Sequence, residues 1–307
     1  SEQHAAVAGI EGSWAPDVLA RPAPAFTRAP SARLSLPQSD RAPATLTVTN
    51  CNDTGPGSLR ETVAAAVSGD TVDMSQLACS TISLRAGQIA TAVDDLSIVG
   101  PGQDTLTIEA GSLSRIFYST GNLSVSDLTI QLGAYYSPGG GCIRTIGDTS
   151  LPRVTAQFCD SGGYFNYHLH YPDSIQYPYQ GGALLVGGNL SLASSTLFHS
   201  FAGHAGAANH RYLPDAPLAG GGAAYAHGNA TVVDSTIDDV AIFSNLGPAR
   251  GGALQVHGNL ILTNSAITNS YTVGKEQALY ASAGGAAFVD GTLTMEGSTI
   301  AGNCSSV

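Results

Sequence analysis

Residues 221–240 read GGAAYAHGNATVVDSTIDDV, and how this stretch is read decides the fold. The same pattern recurs as GGALLVGGNLSLASSTLFHS at 181–200, GGALQVHGNLILTNSAITNS at 251–270 and GGAAFVDGTLTMEGSTIAGN at 284–303. A weaker copy, FYSTGNLSVSDLTIQ, covers residues 117–131, and another starts at Gly140-Gly141-Cys142. Self-similarity of this kind marks a stacked repeat. Each unit holds three short strand-like pieces parted by Gly, Asn or Ser, with inserts of varying length after the third. A unit alone leaves its apolar residues in water. Stacked, each strand pairs in parallel with its copy one turn away, at about 4.8 Å. The expected fold class is all-β, a right-handed parallel β-helix. Asn189, Asn229 and Asn259 share one column, which suits an amide ladder.

Composition agrees. The chain has 307 residues, 37 of them Gly, and only 11% are charged, which favours short strands and many turns over helices. The net charge of −11, with one lysine at Lys275, argues against nucleic acid as a partner and against unaided binding of polyanionic sugars. No apolar run is long enough for direct membrane insertion.

Alternation along the first strand sets its two sides. Leu184, Ala224, Leu254 and Ala287 form one apolar column, and Val186, Ala226, Val256 and Val289 the next; both must point inward. The intervening positions then point to solvent. One outward column is Tyr118, Arg144, Leu185, Tyr225, Gln255 and Phe288; the other is Thr120, Ile146, Gly187, His227, His257 and Asp290. On this reading Tyr225 and His227 are both surface residues. Rings there stack on a sugar while the polar groups bond its hydroxyls. The alternative is an ordinary polar surface of cross-strand pairs. His227 and His257 on adjacent coils, with Asp290 one coil on, also have the residue types of a metal site.

The inserts lead into the next Gly-Gly-Ala strand and should crowd one side of this strip. The first brings Tyr164, Tyr167 and Tyr171 with His168 and His170, the second His204, His210 and Tyr212. The tyrosines would rim a groove or pack the inserts onto the coil. The four histidines are candidate copper or zinc ligands. His199, Asp239 and Asn269 align after the third piece. A His199–Asp239 contact would orient an imidazole as a base, or serve as a structural hydrogen bond.

Residues 1–44 are rich in Ala, Pro and Arg and read as a linker or pro-segment; 45–307 is the β-helix domain. A strand is expected at 45–49. Ser58-Leu59-Arg60-Glu61 reads as a capping box opening a helix over 58–68, with Leu59, Val63 and Val67 on one face. That helix would cover the open N-terminal end of the coil. Cys51 and Cys79 bracket one segment and Cys142 and Cys159 another. Two disulfides and an odd Cys304 suit an oxidising compartment; five reduced thiols are the alternative. The lack of a CxxC pair argues against a zinc ribbon.

The stretch CNDTGPGSLRETVAAAVSGDTV, followed by the Gly-Gly-Ala coils, resembles bacterial exported right-handed β-helix proteins with a CSLREA-type N-terminal motif. The resemblance covers about residues 45–307. It implies the fold and a location outside the cell or on its outer surface, and no single activity. Three functions fit: an adhesin-like binder of a polysaccharide or protein ligand, a polysaccharide lyase or hydrolase, and a stalk without ligand. His227, His257, His199 and Asp239 are the candidate catalytic residues. No cofactor is expected, although Ca²⁺ would bridge an acidic protein to an acidic glycan. AGNCSSV follows a repeat directly, so a further portion of chain or a partner is expected over the last coil.

Overall fold

The computed structural model describes residues 41–135, 139–162, 180–203, 219–244, 249–274 and 283–306. Their strands fall into five sheets, and every pairing in them is parallel. The chain is a parallel β-helix. One coil shows the path: Leu184–Val186, Leu190–Ala193, Thr196–Phe198 and Phe201–Gly203 lie in four successive sheets of seven, nine, eight and five strands. The fourth strand was not expected. It lies inside what reads as insert, and it recurs as Ala241–Ser244, Tyr271–Gly274 and Cys304–Ser306. A fifth sheet has two strands, Ala219–Gly220 and Ala249–Arg250.

The Gly-Gly-Ala triplet has a separate physical reason at each position. The first glycine turns the chain at positive φ, as at Gly181 (60°), Gly221 (67°) and Gly251 (64°). The second has no room for a side chain: a Cβ on Gly222 would lie 2.1 Å from the Gly252 carbonyl oxygen. The alanine is core, with Ala183, Ala223 and Ala253 fully buried. Inward columns run as the alternation requires: Leu184 pairs with Ala224, Ala224 with Leu254, and Leu254 with Ala287. Leu197, Ile237 and Ile267 form another such column on the third sheet, each fully buried and worth about 1.5–3 kcal/mol. In the last described coil the continuing positions Leu293, Met295 and Ile300 are exposed.

Polar ladders close the turns. The Asn229 amide donates to Asn189 Oδ1 and the Asn259 amide to Asn229 Oδ1, so the expected asparagine ladder forms. A second ladder runs through Ser195, Ser235 and Ser265, whose buried amides each donate to the serine hydroxyl one coil on. Buried turns thus keep their donors paired.

At the N-terminal end the strand is Thr45–Thr47 and the helix is Leu59–Ala64, shorter than the expected 58–68. Ser58 Oγ accepts from the Glu61 amide, but the Ser58 amide goes to the Gly55 carbonyl, so only half the capping box forms. Leu59 and Val63 are buried; Val67 lies past the helix end, its amide on Asp70. Arg60 ties the motif down, bonding Asp53 and the carbonyls of Gly87 and Gln88. Both expected disulfides are present, Cys51–Cys79 and Cys142–Cys159, and Cys304 is a free, exposed thiol. Disulfides in a β-helix fit an exported protein. Among the described residues no helix is long and apolar enough to cross a membrane.

Asp70 yields the first prediction. Its fully buried carboxylate accepts from the amides of Val67 and Ala44, both at 2.8 Å, and pairs with Arg41. Burial pushes its pKa up, but these donors and the Arg41 charge outweigh burial and hold it below the ordinary 3.8. A depressed folded pKa gives stability that is complete above the unfolded value and lost as pH falls through the folded one. Asp70→Asn is expected to cost about 1–3 kcal/mol at neutral pH. Urea unfolding at neutral pH and below pH 3.8 should show the variant's deficit shrinking in acid. A deficit equal at both would contradict this role.

Candidate functional site

The outward face of the first sheet carries the densest array of chemistry-bearing side chains among the described residues. Register confirms the first outward column: Tyr118 pairs with Arg144, then Leu185, Tyr225, Gln255 and Phe288 in turn. The second column starts one residue past each strand and is exposed at His227, His257 and Asp290.

Three coils meet here on a diagonal. Tyr225 Oη lies 2.6 Å from His257 Nε2, and His257 Nδ1 lies 2.5 Å from Asp290 Oδ2. A carboxylate only accepts, so Asp290 places the ring proton on Nδ1 and leaves Nε2 to accept from the Tyr225 hydroxyl. His227 stacks on His257 at 5.4 Å with 17° between planes. Tyr225 packs edge-on against both imidazoles, at 5.1 and 5.3 Å. The ring nitrogens of His227 make no hydrogen bond to a described residue.

The environment pushes the two ends of this group apart. Burial raises the Tyr225 pKa above 10.0 and the Asp290 charge adds to it, while Arg250 works the other way. Burial lowers the His227 pKa below 6.5, helped by His257. At neutral pH Tyr225 is therefore a phenol and His227 a neutral base. Opposed shifts on neighbouring groups set up an acid and a base.

Aromatic rings and guanidinium groups lie at both ends of the strip. Arg250 covers the Phe288 ring at 4.5 Å, and Arg144 lies 5.5 Å from the Tyr118 ring. Arg115, invisible to the sequence reading, is buried with its guanidinium 3.8 Å from the Tyr135 ring. It bonds the carbonyls of Gly139 and Gly140, and burial lowers its pKa to about 10.

One expectation needs correction. Tyr225 is not a surface residue: it is 4% exposed, and Gln255 on the same column is 1% exposed. The fifth sheet presses on this column, since a Cβ on Gly220 would lie 1.5 Å from Gln255 Oε1 and 3.2 Å from the Tyr225 ring. Gln255 Oε1 is buried without a hydrogen-bond partner among the described residues. His227, His257 and Asp290 also have the residue types of a metal site. Both nitrogens of His257 already face hydrogen-bond partners. No three His, Cys, Asp or Glu side chains converge on a metal position among the described residues.

His199 Nδ1 does meet Asp239 Oδ2, at 2.6 Å. Both residues sit at turn positions with positive φ, and His199 packs on Phe158 and Phe201. Tyr164, Tyr167, Tyr171, Tyr212, His168, His170, His204 and His210 lie outside the described residues. Sequence reading also missed a groove of about 550 Å³ on the second sheet, lined by Asp95, Ser124, Asp148, Ser150 and Ser191 among others.

Comparison with protein-family models, with curated proteins and with solved structures finds no match. The fold therefore stands on the strand pairing itself, and the function on the chemistry of the strip.

Proposed function

We propose that this chain is an exported bacterial β-helix protein that binds a glycan along the outer face of its first sheet. One observation carries the reading: exposed His227, His257 and Asp290 are held in fixed orientation by ring stacking and by hydrogen bonds. Rigid polar groups bind hydroxyls without a large ordering cost. The rings of Tyr118 and Phe288 lie on the neighbouring column and supply stacking faces. Successive coils repeat at about 4.8 Å, a step comparable to one sugar of an extended glycan.

Calorimetry against neutral and uronate-bearing glycans tests this. Phe288→Ala and Tyr118→Ala are each expected to weaken Kd about tenfold, or about 1.4 kcal/mol. Unchanged affinity in both variants would remove the strip from the binding site. Failure of every glycan to bind the intact chain would leave a stalk.

A further inference from the structure

The same strip holds an acid and a base in contact, which binding alone does not require. We propose that it cleaves its glycan by β-elimination next to a uronate, with His227 as base and Tyr225 as acid. This rests on the glycan reading above.

The residues fit the bookkeeping of that reaction. His227 is exposed, and its ring nitrogens are not engaged by any described residue. It takes the proton from the carbon bearing the uronate carboxylate. The electron pair forms the C4–C5 double bond, and the C4–O4 bond breaks. The departing O4 takes the phenolic proton of Tyr225, so one proton is removed and one delivered, with no water, oxidant or reductant consumed. Tyr225 then recovers a proton from solvent and restores its hydrogen bond to His257 Nε2. His227 returns its proton to solvent. Asp290 and His257 are positioning residues: they fix the tautomer and orientation that the phenol needs.

Elimination also needs a positive group on the substrate carboxylate, where charge develops in the transition state. Arg250 lies over Phe288, next along the column from Gln255, and its charge is felt at Tyr225. Hydrolysis fits less well. It takes two carboxyl groups on opposite sides of the bond, and the two outward columns hold one, Asp290, already bonded to His257. The net charge of −11 favours a glycan with uronates among neutral sugars over a dense polyuronate.

The test incubates the whole chain with gellan, hyaluronan, alginate, polygalacturonate and a neutral β-glucan. The ultraviolet absorbance of the unsaturated uronate product is followed, and binding of each glycan is measured in parallel. Product is expected from at least one uronate glycan and none from the β-glucan. Tyr225→Phe should lower kcat by about 10²–10⁴-fold with binding retained, and His227→Ala should lower kcat by a similar factor, well beyond any loss of binding. The rate should fall in acid below pH 6.5 as His227 protonates, and in alkali above pH 10.0 as Tyr225 ionises. Asp290→Asn removes a charge that keeps Tyr225 protonated, so the alkaline limb should move to lower pH. That shift separates its role from a structural one. Binding without unsaturated product overturns elimination and leaves the binding function intact. Loss of binding in the intact chain overturns both. A Tyr225→Phe variant with the full rate also overturns the assignment.

Discussion

Gly222→Val is expected to destabilise the coil by about 3 kcal/mol or more, the upper end of overpacking costs. The new side chain has nowhere to go. A Cβ at this position would lie 2.1 Å from the Gly252 carbonyl oxygen and 2.6 Å from the Ala241 backbone, and neither is a flexible side-chain end. Gly182 and Gly252 face the next coil in the same way, at 2.0 and 1.9 Å. The second glycine of each triplet thus sets how closely successive coils approach. In a stacked repeat each unit is stabilised by its neighbours, so one forced gap weakens two interfaces. Gly87→Ala is the comparison, since nothing lies within 4 Å of a Cβ there and only its φ of 86° opposes the change. Denaturant unfolding should rank Gly222→Val far below Gly87→Ala. Equal stabilities would mean that the coils yield to a side chain.

Removing the Cys142–Cys159 disulfide is expected to cost about 3 kcal/mol, the chain-entropy value for a loop of its 17-residue separation. Cys142 occupies the alanine position of the triplet, and Cys159 precedes the fourth strand, Asp160–Ser161. The bond therefore ties the turn into the first sheet to the start of the fourth. Both sulfurs are buried, so Cys142→Ala with Cys159→Ala removes the link without burying a hydroxyl. A reductant should lower the unfolding midpoint of the native chain more than that of the double variant, which has only Cys51–Cys79 left to lose. Equal midpoints for the oxidised native chain and the double variant would contradict this contribution.

How much was legible in the sequence depends on how each feature is encoded. The first-sheet columns were readable because alternation has period two and the Gly-Gly-Ala triplet marks the phase of each copy; register matches position by position from Leu184 to Val289. The asparagine ladder was readable for the same reason, and the two disulfides because each pair of cysteines brackets one short segment. The fourth sheet was not. Its strands are short, and one of them, Phe201–Gly203, has the small sequence FAG directly before an insert. The fifth sheet is two dipeptides, Ala219-Gly220 and Ala249-Arg250, with no pattern of their own. Yet that sheet buries Tyr225 and Gln255, so exposure along the first outward column was misjudged. The Tyr225–His257–Asp290 chain was hidden for a third reason. It crosses from one column to the other across coils of unequal length, 32 and then 33 residues on. Columns show which residues stack; they do not show how far a tyrosine reaches sideways. The burial that shifts Tyr225 and His227 in opposite directions follows from the same packing and is likewise absent from the pattern.

The most direct test of glycan binding at the first sheet is a nuclear magnetic resonance titration of the labelled chain with a uronate-bearing oligosaccharide. Binding at the strip predicts that the ring signals of His227 and His257 shift together and saturate at one ligand concentration. His199, at the turn between the third and fourth sheets, should stay fixed. Shifts confined to the second-sheet groove around Asp148 and Ser150, with both imidazoles unmoved, would contradict it.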